Sequence, residues 1–593
     1  LPLLQRLQQM EHIQTIALTP GAATALQDKP ADLQIGQASQ LLSAHWNRGG
    51  NLLVIGAIGA VTRLVAPLAQ DKHSDPAVVV VDARGEHVVP LLGGHAAGAE
   101  QLARDLAAAL GGRAVLTGDA NTQGRLALDA FGEAWGWTRA GEASAWHQLM
   151  QSQAMEQPLS LAQQSGTTLW STSAGSQRLN LLDGANPSAA LSIGASTDAA
   201  ACRWHPATLW IGIGCERNTS ESLVDRAVAS VLAQASLAPE AVAGISSIDA
   251  KADEPALLHL SEQHGWPFRL HNAASLAKVA VPTPSEVVKA EMGTASVAEA
   301  AALLAAGDGA PLHQPKQIFH AEPGEQGAVT VAIAEASQAF APQRGELHLI
   351  GSGPGALELL TPDARQALSR CVTWVGYGLY LDLLEPLRRH DQVRVDGQLT
   401  RERDRCQQAL EMARAGTRVA LVSSGDSGIY GMAGLALELW MNLPESDRPL
   451  FQVHPGLSAL QLAAAKAGAP LMHDFCTISL SDRLTPWEVI ERRLHAAAAG
   501  DFVVALYNPR SKGRDWQLQR AIEILLTDRP TTTPVVMARQ LGRREESVSL
   551  FELASLKPAD VDMLTVLVIG NSSSRVMGGR MVTPRGYPGA ALS

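Results

Sequence analysis

The chain reads as a multidomain α/β protein, and three observations predict that class. Apolar runs of four to eight residues alternate with Ala- and Leu-rich helical stretches along nearly the whole chain, and Gly, Asp and Pro bound the runs. The β-branched residues and flanking glycines favour buried parallel strands over pieces of helix. The length, 593 residues, corresponds to roughly four units at about 150 residues each. Strands alternating with helices imply α/β layers joined by right-handed crossovers.

In chain order, the run Leu52–Ile55 ends in Gly56-Ala57-Ile58-Gly59, and a helical stretch with Arg63 follows. After Asp71-Lys72 come the run Ala77–Val81 and a Gly93-Gly94-His95 turn that opens a helix. A histidine at a helix start is disfavoured as a cation, so His95 is expected neutral, as a base or as a core hydrogen-bond partner. Residues 135–205 carry many Gln, Ser, Thr and Ala with weak periodicity and read as a poorly defined middle segment. The run Leu209–Ile213 ends at Cys215-Glu216-Arg217; with no positioned base in view, Cys215 reads as a structural thiol. Residues 307–344 hold Gly-Asp-Gly-Ala-Pro and a Gln/Pro-rich patch and read as a junction. The tail after Met577 is Gly/Pro-rich and is expected to be loose.

Three further strands end in Gly-rich turns. Leu347–Ile350 leads into Gly351-Ser352-Gly353-Pro354-Gly355-Ala356, which formally satisfies a dinucleotide fingerprint. That fingerprint needs a helix opening at the glycines, whereas Thr361 as N-cap with Pro362 next places the helix later. A tight turn and a loop that lets a flat ligand approach the backbone both remain open. Val419–Val422 leads into Ser424-Gly425-Asp426-Ser427-Gly428-Ile429-Tyr430-Gly431, suited to hydroxyl or amino groups such as those of ribose or methionine. His454-Pro455-Gly456-Leu457-Ser458-Ala459 is the third, with Ser458 placed to cap the next helix. Carboxyl ends of strands are where open α/β sheets bind ligands. The runs Phe502–Leu506 and Leu564–Ile569 complete the pattern.

The formal net charge of −11 argues against nucleic-acid binding, which needs a basic face. The five cysteines form no C-x-x-C pair and read as reduced thiols, with no metal site expected. No membrane-length apolar stretch and no signal peptide is visible, so no membrane partner and a cytoplasmic address are expected.

In order, the G-x-G-P-G loop, the G-D-x-G-I-Y-G turn and the P-G-x-S-A turn resemble the tetrapyrrole methylase family over residues 345–578. The stretch Met472–Trp487, with Ala505–Ser511 and Gly542-Arg543, is similar to the precorrin-3B and cobalt-factor III C17-methyltransferases. The resemblance implies two α/β lobes with S-adenosylmethionine and a tetrapyrrole in the cleft. Cobalt would enter only as part of the substrate, and a homodimer would form through the methylase domain. Pro354, Ser424, Gly425, Asp426, Ile429, Ser458, Ala459, Asn508 and Gly542 are then the expected cofactor contacts. Ser427 stands where the family often has Pro, and Asn508 where it often has Met. Methyl transfer from a sulfonium is dominated by positioning. The ring contraction that accompanies C17 methylation needs proton movement, for which His473, Asp474, Ser481 and Asp482 are the candidates; His473-Asp474 as a capping pair is the alternative. Arg483, Arg510, Lys512 and Arg514 are candidates to grip substrate carboxylates.

The segments around Leu52–Glu100 and Trp210–Ala300 resemble the N- and C-terminal domains of the cobalt-precorrin-5A hydrolase family, a likeness covering residues 15–335. That family opens a lactone on the ring-contracted macrocycle and releases acetaldehyde. Ala96-Ala97-Gly98-Ala99-Glu100 departs from its Gly-Gly-Ala-Asn, and Leu116-Thr117-Gly118-Asp119 replaces its Thr-Thr pair. If this half is a hydrolase, His95, Arg63, Lys72 and Lys251 are the candidates; a non-catalytic corrinoid-binding module is the alternative. For the methylase half the rival is another ring carbon. The expected organisation is 1–134, 135–205 and 206–335 as hydrolase-like N-terminal, middle and C-terminal domains, 344–578 as the methylase, and 579–593 as a tail.

Overall fold

The structure is a computed structural model that describes residues 3–4, 7, 15–24, 33–70, 75–94, 98–117, 124–182, 189–398, 401–511 and 513–587. Its larger sheets, each of four or five strands, pack against helices, as α/β folding requires. The first holds Leu52–Ile55, Val78–Val81, His87–Leu92 and Arg113–Ala114 in that order. Val79 and Val81 pack beneath the helix Ala99–Leu110, and Val78 and Val80 against Ile58–Val65. Cover on both faces explains a strand of four valines.

The weak periodicity of residues 135–205 does not mean a weak core. Thr138–Ala140, Ala200–His205, Ala189–Ile193 and Leu161–Gln163 form a four-stranded sheet. Its core is aromatic: Trp135, Trp137, Trp146, Trp170 and Trp204 gather with Phe131, with Phe131 and Trp146 edge-on to Trp204. Buried indole N–H groups find acceptors, as with Trp204 Nε1 to Leu128 O at 2.9 Å. A few large rings fill the volume that aliphatic periodicity fills elsewhere, so the pattern is faint.

The third sheet runs Phe268–His271, Val242–Ile248, Leu209–Cys215, Ala328–Glu335, Leu312–His320. The stretch 307–344, read as a junction, therefore contains two long strands. Pro315 and two register shifts are tolerated because Leu312–His320 is the sheet's edge.

Two lobes follow. The first is all parallel, ordered Val393–Gly397, Thr373–Tyr377, Arg418–Ser423, Glu346–Gly351, Leu450–His454. The second is mixed, ordered Phe475–Ser479, Val503–Tyr507, Thr565–Ile569, Pro534–Arg539, Ser547–Glu552. Thr565–Ile569, expected parallel, runs antiparallel to both neighbours. An apolar run records burial on both faces and carries no direction. The tail expected to be loose contributes Arg580–Val582, which pairs with Arg575–Met577 and Gly468–Ala469 and buries Met581 fully.

The units pack on one another. Helix Ala99–Leu110 lies along Pro362–Arg370 with Arg370 3.8 Å from Asp105. Gly175 N donates to His390 O at 2.6 Å, and Val372 and Val393 join the tryptophan core. Arg269 lies 4.1 Å from the Trp210 ring and 4.3 Å from Phe340, and Asp447 binds both Arg269 and Arg414. No helix among the described residues is long and apolar enough to cross a membrane.

Candidate functional site

The first lobe places its cleft where the strand connections part. The helix that follows Glu346–Gly351, Pro362–Arg370, packs with Ile350, Ala420 and Val422 on one face of the sheet. The helix that follows the adjacent strand Arg418–Ser423, Ala433–Met441, packs with Leu349 and Leu421 on the other. Neighbouring strands whose chains leave to opposite faces open a crevice beyond their carboxyl ends. Thr361 caps Pro362–Arg370 as the sequence predicts, accepting from Ala364 N at 3.2 Å, so the glycine loop lies before the helix.

Three loops meet there at backbone distance. A Cβ on Gly456 would sit 2.2 Å from Gly425 O and 2.5 Å from Gly351 O, so only glycine permits the approach. Gly353 and Gly425 exchange N–H···O bonds of 3.0 and 2.8 Å. Asp426 joins the loops: Oδ1 accepts from Gly428 N at 2.8 Å and Oδ2 from Gly456 N at 3.1 Å. Ser458 forms a capping box with Gln461 at the start of Ala459–Ala467.

The second lobe reaches the same place. A Cβ on Gly355 would lie 2.8 Å from Gly542 O, and one on Gly542, at φ +70°, 2.8 Å from Ala356 N. Tyr507 and Tyr430 close the seam with ring centroids 5.2 Å apart. Tyr430 Oη donates to Thr477 O at 3.1 Å, and Tyr507 Oη accepts from Leu460 N at 3.1 Å. Burial pushes the Tyr507 phenol up, which keeps it neutral. Tyr430 and Asn508 both hold positive φ, +54° and +50°, a conformation that asparagine adopts readily and a tyrosine rarely does. Sequence reasoning assigned the two tyrosines no role, although both stand inside the quoted motifs.

The nine expected cofactor contacts divide by element. Pro354 lies on the first loop, Ser424, Gly425, Asp426 and Ile429 on the second, Ser458 and Ala459 on the third, and Asn508 and Gly542 beyond strands of the second lobe. Asn508 Nδ2 donates to Ser479 Oγ at 3.1 Å. Ile429 is 41% exposed, whereas the Ser458 hydroxyl is buried in its capping role.

The four proton-transfer candidates are not brought together. Ser481 and Asp482 follow the carboxyl end of Phe475–Ser479, the end that Asn508 shares. His473 and Asp474 precede its amino end, a strand length of on the order of 15 Å away. His473 Nδ1 accepts from Asp474 N at 3.0 Å and both side chains are exposed, the capping alternative. Arg514 is buried rather than free: Nε donates to Asn508 O at 3.1 Å and Nη1 to Ser481 Oγ at 3.3 Å. Arg510 Nη1 donates to Pro558 O at 2.9 Å, and Arg483 is exposed. Lys512 lies outside the described residues.

Among the hydrolase candidates, His95 and Lys72 lie outside the described residues. Arg63 is exposed and donates to Gly59 O at 3.0 Å. Lys251, in a different unit, is 6% exposed and ion-paired at 3.3 Å with the fully buried Glu254. Burial pushes the Cys215 thiol up to about 11, the behaviour of a structural thiol.

Comparison with known proteins finds three families along the chain. Tetrapyrrole (Corrin/Porphyrin) Methylases match residues 346–557, Cobalamin synthesis G C-terminus residues 209–334, and Cobalamin synthesis G N-terminal residues 40–121. A protein named probable cobalt-factor III C(17)-methyltransferase, from Salmonella typhimurium, is 46% identical over 241 residues, 41% of this chain and 99% of its own length. A precorrin-3B C(17)-methyltransferase from Sinorhizobium sp. is 42% identical over 253 residues, 42% of this chain and 99% of its own. The cobalt-factor III methyltransferase of Priestia megaterium is 44% identical over 246 residues, 41% of this chain and 45% of its own. A solved structure described as the methyltransferase CobJ is 40% identical, covers 40% of this chain and all of its own, and has a TM-score of 0.39.

Proposed function

The chain belongs to the tetrapyrrole methylase family, and from that premise we propose that residues 344–578 methylate C17 of precorrin-3B or cobalt-factor III with ring contraction, in cobalamin biosynthesis. The observation that carries the proposal is the meeting of Gly351, Gly425 and Gly456 at one crevice, with Gly355 against Gly542 closing it from the second lobe. S-adenosylmethionine, when bound, supplies a methyl group on a sulfonium.

The residues present fit that group. The glycines let the three loops and the second lobe meet at backbone distance, which sets the walls of the crevice. The part-exposed Asp426 carboxylate keeps lone pairs for a hydroxyl or an ammonium after its two N–H bonds, and Ile429 offers an apolar face. The contribution of the chain is then orientation and exclusion of water. Pro354, Ser424, Gly425, Asp426, Ile429, Ser458, Ala459, Asn508 and Gly542 would hold the cofactor. Ser481 and Asp482 are the proton-handling candidates beside it, and Arg514 braces the two loops that carry Ser481 and Asn508. Arg483, exposed, is a candidate to meet substrate carboxylates. We also propose a homodimer through the methylase lobes and a cytoplasmic address.

For the N-terminal half, the likeness to the cobalamin synthesis G domains supports a lactone-opening partner on the neighbouring step of the same bulky intermediate. Lys251 is buried and committed to an ion pair with Glu254, which favours a second reading, a corrinoid-binding module without catalysis.

The test is anaerobic incubation of the full chain with labelled S-adenosylmethionine and cobalt-factor III, followed by product mass. Label in a ring-contracted product supports the proposal. Activity only with metal-free precorrin-3B selects the oxygen-dependent substrate, and failure with both promotes another ring carbon.

A further inference from the structure

Two buried histidines stand directly behind the third loop. His348, on Glu346–Gly351, and His454, the last residue of Leu450–His454, are 2% and 7% exposed. Nδ1 of His348 lies 2.9 Å from Nε2 of His454. Each outer nitrogen faces a carboxylate: His348 Nε2 is 2.9 Å from Glu346 Oε2, and His454 Nδ1 is 2.8 Å from Asp363 Oδ2. Arg370 forks Glu346 at 2.5 and 2.6 Å. Burial works to raise the Glu346 carboxyl, but His348, Arg370 and Arg418 hold it at about 2, so it is ionised and only accepts. His454 likewise holds the Asp363 carboxyl below its ordinary value.

Hydrogen-bond valence then decides the protonation. Each imidazole must carry an N–H on its outer nitrogen to meet its carboxylate. Two neutral rings would consequently face each other lone pair to lone pair across 2.9 Å, which is repulsive. Only one additional proton turns that contact into a hydrogen bond. We infer that His348 and His454 share one proton as an imidazole–imidazolium pair and act as positioning residues that fasten the Pro455–Ser458 loop against Asp426.

The surrounding charges agree. The pair meets Glu346 on its own strand, Asp363 and Arg370 on Pro362–Arg370, and Arg418 on the neighbouring strand, with Asp105 behind Arg370. Glu346 and Asp363, both held below their ordinary values, each set a negative charge directly against the pair. Burial pushes His348 down despite Glu346. His454 leads straight into the loop: Pro455 O accepts from Thr361 Oγ1 at 3.1 Å and Gly456 N donates to Asp426. The hold is complete on the acid side and is lost as pH rises through the pair's pKa, when the rings repel and the edge strand loses its anchor.

The effect on cofactor rests on the reading of this loop as a cofactor contact; the shared proton does not. The test is a pH titration of the full chain labelled with 15N-histidine, read at the ring nitrogens, alongside calorimetric binding of S-adenosylhomocysteine. One proton should leave the two rings in a coupled step, and the affinity should fall over the same interval. Asp363→Asn is the diagnostic variant, and its side chain is more than half exposed, at 56%. An amide N–H there can donate to His454 Nδ1, His454 Nε2–H to His348 Nδ1, and His348 Nε2–H to Glu346, satisfying every bond with both rings neutral. The coupled release and the pH dependence of affinity should then disappear. Rings that titrate independently, rings that stay neutral throughout, or a release retained in D363N would each overturn the shared proton. An S-adenosylhomocysteine affinity that is absent at every pH, with the coupled release intact, would overturn the cofactor role of the loop and leave the pair standing.

Discussion

Replacing Gly456 with alanine tests whether backbone contact at the crevice is what shapes the cofactor site. The added Cβ would lie 2.2 Å from Gly425 O and 2.5 Å from Gly351 O, against an ordinary contact of 3.4 Å, so the first pair must part by 1.2 Å. Neither neighbour is free to give. Gly425 O accepts from Gly353 N at 3.0 Å, and Gly351 is paired in the sheet. Overpacking of this kind costs about 1–3 kcal/mol. If the loops separate to relieve it, Gly456 N also withdraws from Asp426. The expected result is S-adenosylhomocysteine binding weakened roughly 5- to 150-fold, since about 1.4 kcal/mol is tenfold. Calorimetric titration reads it. Gly434→Ala is the control: it lies in Ala433–Met441, its Cβ meets nothing within 4 Å, and helical Gly→Ala is stabilising by roughly 0.5–1 kcal/mol. G456A with wild-type affinity and melting temperature would refute the reasoning, because the loops would then not be in contact.

Four further outcomes are expected. Arg514→Lys, which cannot keep its forked hold on Asn508 O and Ser481 Oγ, should lower methyl-transfer kcat/KM about tenfold, whereas His473→Ala should leave it within about twofold, each checked by initial rates with labelled cofactor. Asp447→Ala strands Arg269 and Arg414 at the seam between the third unit and the first lobe and should cost about 3–5 kcal/mol in urea unfolding. Trp204→Ala empties the centre of the aromatic core, with a loss of about 3–5 kcal/mol by the same measurement. Glu346 has a folded pKa depressed from 4.5 to about 2, so its contribution is present above pH 4.5 and is lost as pH falls toward 2. That loss amounts to about 3 kcal/mol, and the stability slope of Glu346→Gln across that window should lack it.

The sequence by itself determined the class, the order of the motifs and the local punctuation. Alternating apolar runs and helical stretches specify α/β layers because burial on both faces demands them. Thr361 and Ser458 cap their helices as their flanking residues predict, because capping is settled within four residues of chain. The methylase turns were legible as motifs, although the demand that Gly351, Gly456, Gly355 and Gly542 meet is tertiary, the approach of loops far apart in the chain. Tertiary structure decided everything that depends on residues far apart in sequence. Strand direction at Thr565–Ile569 follows from its neighbours, and the aromatic core of residues 135–205 from rings that meet only on folding. His473 and Ser481 sit eight positions apart in one motif, yet an extended strand carries them to opposite ends of a sheet. Arg514, one of several arginines in sequence, became a buried brace. The His348–His454 pair, 106 residues apart, left no trace in any local pattern, because two adjacent parallel strands alone bring the rings together.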